Sequence, residues 1–333
     1  MRLERGRALL ILASLWLTLL SPSISPASSD DGRVLVAVSL EPLGAIVSEA
    51  TGGHVDVFVI VPEGAEPHTY QATPEAIEAV ERAALIVTVA HLPVEEQVAE
   101  VADAPVIGME DYQRHGLRLI PVPGQGGDDI HGFWLDPNNA LAIGEAAVEA
   151  LERIDPGGAE AYEESLSQFR GKIESLKETI NSFSSSRGLR AQKVIVSVPA
   201  EAYIASTLGM IPVDTIGRGP GAVIGAGELD QLGRAVERGE VRFVTVSEVS
   251  EGLKPGQMAV QLAEEHGATV LRVRVLSSGL SSYEALWAWN LGSIDSSLRA
   301  TPAEGGGWSL AMCVVAASAV AILGLAVALW KAA

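Results

Sequence analysis

Short β-branched apolar runs alternate with amphipathic stretches from residue 33 onward. "RVLVAVSL" (33–40), "HVDVFVIV" (54–61) and "LIVTVA" (85–90) read as strands. Between and after them, "EPLGAIVSEATG", "TPEAIEAVERA" and "PVEEQVAEVA" carry helical spacing. The second of these helices has a legible start. Thr73 is the N-cap, Pro74 takes the first helical position, and glutamates sit near the positive end of the dipole. Strand–helix alternation of this kind predicts a parallel α/β sheet.

From residue 137 to residue 183 the pattern turns almost wholly helical. "NNALAIGEAAVEALERI" forms one amphipathic helix that stops at Asp155-Pro156-Gly157. A longer helix follows, with Tyr162, Leu166, Phe169, Ile173 and Leu176 as its apolar stripe. Alternation then resumes, with strands at "KVIVSV", "VRFVTVS" and "ATVLRVRVL" and a final helix through "SSYEALWAWNLGSI". The expected fold class is α/β. Two α/β lobes with parallel sheets, 31–137 and 186–297, are joined by a helical connection, 138–185, whose long helix acts as a rigid spacer. A coiled-coil partner helix is the other use of such a stripe, for which the helix is short.

The two ends differ in kind. Arg2, Arg5 and Arg7 precede an apolar run, Ala8 to Leu20, and small residues follow, so residues 1–27 are expected to be a secretory signal peptide. No cysteine follows closely on that run, so a lipid anchor is not expected there. Residues 308–330 carry no charge and are bounded by Trp308 and Trp330, with Lys331 beyond. They are long enough to span a bilayer, which takes ~20 apolar residues. Residues 298–307 read as a spacer. The expectation is an exported domain tethered to the outer face of the cell membrane by a C-terminal transmembrane helix.

Composition narrows the functional classes. The formal net charge of −19 argues against nucleic acid, and fits a solvated surface or attraction of cations. The single cysteine, Cys313, permits no disulfide framework and no cysteine-based metal site. There is no G-x-S-x-G, H-E-x-x-H or P-loop pattern, so an enzyme is not expected. The Gly-rich "GRGPGAVIGAG" (217–227) lacks the lysine of a phosphate cradle and reads as a loop between elements.

Histidine placement is more specific. His68 lies in "VPEGAEPHTYQATPEAI", after a strand and just before a helix, and ligands gather at such carboxyl ends in open α/β sheets. His131 lies in "GGDDIHGFWLDPNNA", again before a helix start, with Trp134, Leu135 and Pro137 able to anchor the loop. Two loop histidines in one lobe suit a divalent metal, for which neutral imidazole is the commonest ligand. A solvated or hydrogen-bonded histidine is the plain alternative for each.

These two stretches, with the W-L-D-P segment, the L-x-x-I-D-P…Y helix pair, "VRFVTVSE" and the closing Y-E-A-L…N-L, resemble the zinc/manganese-type solute-binding proteins of ABC transporters. The resemblance runs from about residue 33 to residue 297. It implies two α/β lobes joined by a long rigid helix, with a transported Zn²⁺ or Mn²⁺ held in the cleft between them. It also implies an ABC permease and its ATPase as partners. His68 matches the first family ligand. His131 matches the second, although Gly132 and Phe133 stand between it and Trp134 where the family has one residue. Val198 occupies the third position, with Glu201 nearby as a substitute, and Arg274 or a neighbour occupies the fourth. The family's His-rich loop is missing, and "PGQGGDD" supplies only Asp128 and Asp129. His91, at the end of a first-lobe strand, is a further candidate ligand ahead of Glu248 and Glu41, with a satisfied polar loop residue as the plain alternative. His54, His115 and His266 read as surface residues. The alternative to a metal receptor is the same fold with a lost or altered metal site. Such a chain would bind another small solute, with Arg274 meeting an anion, or act as a surface interaction or adhesion module.

Overall fold

The computed structural model describes residues 32–300 apart from 220 and 281. The expected signal peptide and transmembrane anchor lie outside the described residues. Among the described residues no helix is long and apolar enough to cross a membrane.

The first sheet holds β1 (Val34–Val38), β2 (Val55–Val59), β3 (Leu85–Val87) and β4 (Val106–Ile107) in the order β2-β1-β3-β4, and every pairing is parallel. The second sheet repeats that order. It holds β5 (Lys193–Val196), β6 (Ile211–Thr215), β7 (Phe243–Ser247) and β8 (Thr269–Val273) as β6-β5-β7-β8, again all parallel. Central strands β3 and β7 are buried along their whole length, which is why they read as continuous apolar runs and not as alternating ones.

The first-lobe helices are α1 (Glu41–Ala50), α2 (Pro74–Arg82), α3 (Pro93–Val101) and α4 (Met109–Arg114). Thr73 caps α2 as expected, its hydroxyl accepting from the Ala76 N–H at 3.2 Å. A 3₁₀ turn, Phe133–Leu135, leads into α5 (Pro137–Ile154), which Asp136 caps through the Asn138 N–H at 2.8 Å. The connecting helix α6 spans Ala159–Ser186. The second lobe adds α7 (Glu201–Thr207), α8 (Ala226–Glu237), α9 (Lys254–His266) and α10 (Tyr283–Ala300). Helix α10 runs past its expected end, so residues 298–300, expected to be spacer, are helical.

The main hydrophobic core is shared. It runs from the first sheet through α5 and α6 to the inner face of the second sheet, joining Val36 and Leu85 with Phe169, Tyr203, Leu271 and Trp287. A smaller core, with Ile195, Val244 and Leu262, belongs to the second lobe alone. A core continuous across both lobes resists large hinge motion, because opening would expose apolar area at ~25 cal/mol per Å².

Candidate metal centre

Three first-lobe loops deliver their histidines to one point. His68, His91 and His131 each offer a ring nitrogen, and these nitrogens lie within 4.8 Å of one another. Ring centroids are 5.9 Å apart for His68–His91, 5.9 Å for His68–His131 and 5.0 Å for His91–His131. Two nitrogens on a tetrahedral zinc at ~2.05 Å stand roughly 3.3 Å apart. Closing from 4.8 Å therefore takes a shift of about 1.5 Å or less. The exposed loop of His68 can supply it.

Each loop has its own support. The His91 loop is pinned by Glu95 in the first turn of α3. Glu95 accepts from the backbone N–H groups of Val89 (2.7 Å), His91 (2.8 Å) and Leu92 (2.9 Å), while the Ser39 hydroxyl also accepts from Val89. Ala90 takes a left-handed conformation (φ 62°) to make this turn. The His91 ring places Nδ1 3.0 Å from the Val89 carbonyl, so Nδ1–H donates and Nε2 is left for a metal. Burial pushes the His91 pKa down to about 4; the Val89 carbonyl opposes it, and the neighbouring His131 and His68 rings add smaller downward pushes. The ring stays neutral and competent to ligate well below neutral pH.

The His68 loop is a turn on Glu66, whose carbonyl accepts from Thr69 and Tyr70 and whose side chain accepts from the His68 N–H at 3.3 Å. His131 is followed by Gly132, left-handed at φ 77°, which absorbs the extra residue before Trp134. A Cβ on Gly132 would meet Ala200 Cβ at 2.8 Å, so this loop lies directly against the second lobe. Trp134 ties it down further by donating Nε1–H to the Val275 carbonyl at 2.9 Å.

Glu201 is not part of this group. It is fully buried under the second sheet, where both oxygens are taken. Oε1 accepts from the Ser197, Ser247 and Ser250 hydroxyls, and Oε2 from the Ser197 N–H and the Thr245 hydroxyl, all between 2.6 and 2.9 Å. Burial raises its pKa, and the bonds from Ser197, Ser247 and Thr245 pull the other way. The expected substitution of Glu201 for a missing second-lobe ligand thus gives way to a structural role.

The other candidates are also engaged. Glu248 accepts from the backbone N–H groups of Val275 (3.0 Å) and Leu276 (2.7 Å), fixing the turn after β8. Glu41 accepts from the Ser278 hydroxyl. Arg274 lies 4.5 Å over the Trp289 ring and donates to the Ser278 carbonyl, so its charge is spent within its own lobe. His115 and His266 pair with Glu149 and Glu237. Among the described residues, the three-imidazole group contains no carboxylate and nothing from the second lobe. Sequence reasoning missed the supporting Glu95. Its place at the third position of α3, just after a strand-end histidine, was the available signal.

The manganese-binding lipoprotein MntA of Halalkalibacterium halodurans is 28% identical over 195 residues, covering 57% of this chain and 62% of that protein. PsaA, the manganese ABC transporter substrate-binding lipoprotein of Streptococcus pneumoniae serotype 4, is 24% identical over 220 residues, covering 61% and 68%. Over the first three such relatives the chain spans only 58–64% of their length. A crystal structure of ZnuA superposes with a TM-score of 0.63 at 23% identity, covering 79% of this chain and 98% of that one. The Mn-bound periplasmic metal binding protein from candidatus liberibacter asiaticus gives 0.63 at 19%, covering 80% and 100%. These two likenesses speak for the fold. Residues 36–297 match the family described as zinc-uptake complex component A, periplasmic, and on that match the chain belongs to the ZnuA family.

Proposed function

We propose that this chain is an extracytoplasmic receptor that captures a divalent transition metal through His68, His91 and His131 and delivers it to an ABC importer, its permease and ATPase. The observation that carries this reading is the convergence of three ring nitrogens within 4.8 Å. Three imidazoles without a carboxylate suit zinc better than manganese, which prefers oxygen donors. The ion is the cargo, and all three donors come from one lobe. Ligation therefore does not need the lobes to close around it, in contrast to the cleft-bridging site that the family resemblance implied. The acidic surface raises the local concentration of cations. The charge-free segment 308–330 supplies the tether to the outer face of the membrane.

The test is calorimetric titration of the purified chain with Zn²⁺ and Mn²⁺, with His68→Ala and His131→Ala alongside. Zinc binding that is tighter than manganese binding and weakened by both substitutions is the expected result. Weak binding of both metals that ignores both substitutions would sink the receptor reading.

A further inference from the structure

Behind His131 lies a second acid that neither motif nor spacing marked as functional. Asp129 is fully buried. Its Oδ1 accepts from the His131 backbone N–H at 2.9 Å and sits 3.3 Å from Nδ1 of the same ring. Its Oδ2 is buried without any hydrogen-bond partner. Leaving a buried oxygen unmatched is costly, and a side chain retained at that cost needs a reason. Holding the loop is not a sufficient one, because the neutral Asn would accept from the His131 N–H equally well.

The backbone of Asp129 is clamped from two sides. Its N–H donates to the Ile120 carbonyl at 2.8 Å, and its own carbonyl accepts from the Tyr203 hydroxyl at 2.5 Å. The Tyr203 oxygen in turn accepts from the Ile120 N–H at 3.3 Å. Tyr203 is a buried residue of α7, in the second lobe. A side chain from the far lobe therefore holds the residue behind a first-lobe imidazole.

We infer that Asp129 is a positioning residue of the metal site, selecting the Nδ1–H tautomer of His131 and aiming its Nε2 at the ion, and that Tyr203 is how the second lobe contributes to the site. This rests on the receptor reading above. An acidic acceptor behind a ligating imidazole fixes its tautomer and raises its basicity. A cation on the far side of the ring also offsets the unmatched Oδ2, which explains why an acid stands there. The second lobe, whose expected ligand positions hold Val198 and Arg274, thus acts on the ion through a hydroxyl and a carboxyl and not through a ligand of its own.

The test uses Asp129→Asn, which keeps the shape and the acceptor for the backbone N–H, and Tyr203→Phe, which removes one hydroxyl. Zinc affinity is measured by chelator competition, and the imidazole nitrogens of the metal-free chain are read by ¹⁵N NMR after ¹⁵N-histidine labelling. Wild type should carry the His131 proton on Nδ1. Asp129→Asn should lose about 10–100-fold in zinc affinity and show mixed His131 tautomers. Tyr203→Phe should lose several-fold, and the double variant less than the product of the two. Wild-type affinity in Asp129→Asn, or a wild-type His131 protonated on Nε2, would overturn the inference. A wild-type chain that binds no zinc at all would instead overturn the receptor reading, while the tautomer measurement still reports on Asp129.

Discussion

Removing the His91 imidazole tests whether the site is a three-histidine one. In His91→Ala the loop should keep its path, because Glu95 bonds to the main-chain N–H groups of Val89, His91 and Leu92 and not to the ring. The one ring bond lost is that from Nδ1 to the Val89 carbonyl. That is worth ~1 kcal/mol, so the metal-free chain should melt about 2–4 °C lower. The effect on metal is larger. Structural zinc sites with four ligands bind with about 10–16 kcal/mol, or about 3 kcal/mol per ligand, so losing one imidazole should weaken binding by roughly 100-fold or more. The assay is competition against a chromophoric zinc chelator near neutral pH. His115→Ala serves as control, since that ring pairs with Glu149 outside the group. If His91→Ala binds zinc as wild type does while His68→Ala and His131→Ala do not, His91 is a bystander ring and the three-imidazole argument fails.

Other outcomes follow from the same geometry. Gly132→Ala would force a left-handed Cβ to within 2.8 Å of Ala200 Cβ and 2.9 Å of its Cα and carbonyl oxygen. A lower melting temperature and weaker zinc binding are expected together, by thermal unfolding and chelator competition, because His131 is the preceding residue. Glu201→Ala strands the donors of five buried hydrogen bonds. It should cost about 3–5 kcal/mol in urea unfolding and leave the zinc affinity of the folded chain unchanged. The depressed His91 pKa predicts a pH effect on the metal-free chain. As pH falls below 6.5 the unfolded chain takes up a proton that the folded chain refuses until about 4. Stability should therefore drop across that window by about 2–3 kcal/mol. His91→Gln should flatten that part of the urea-midpoint profile between pH 7 and pH 4.5, and an unchanged profile would contradict it.

The lobe–helix–lobe order was legible because the central strands are buried on both faces and carry unbroken β-branched runs. What escaped was at the edges. Strand β6, "IPVDT", contains Pro212 and Asp214 and leaves Ile211 47% exposed, so it lacks the apolar run of a central strand. It also pairs with β5 through a register shift between Val194 and Ile195, which no spacing rule anticipates. Strand β4 has two residues and exists only because Ile86 and Val87 offer it a partner. The C-terminal helix was placed too short, because "SSLRA" is polar. Leu298 of that stretch still packs on the main core.

The site was legible in proportion to how much of it is local. His68 and His131 stand in turns whose caps, Thr73 and Asp136, can be read from the neighbouring residues. His91 was placed at a strand's carboxyl end, and the structure brings its ring beside the other two. Glu201 was misjudged because a carboxylate in a helix's first turn looks available, and its surroundings are distant in sequence. The missing signal was the set of hydroxyls at Ser197, Thr245, Ser247 and Ser250, small polar residues in or just after two neighbouring apolar strands. Hydroxyls set on such strands need a common acceptor, since each unpaired one costs about 1–3 kcal/mol. Glu201 is within the first turn of the helix that follows one of them. The same reasoning applies to Asp129 and Tyr203, which are 74 residues apart. Tyr203, a side chain of the second lobe, holds the loop that carries His131. When the second lobe's ligand positions hold Val198 and Arg274, selection on metal binding can still act there through Tyr203. That is why a changed far wall does not by itself argue that the metal site has been lost.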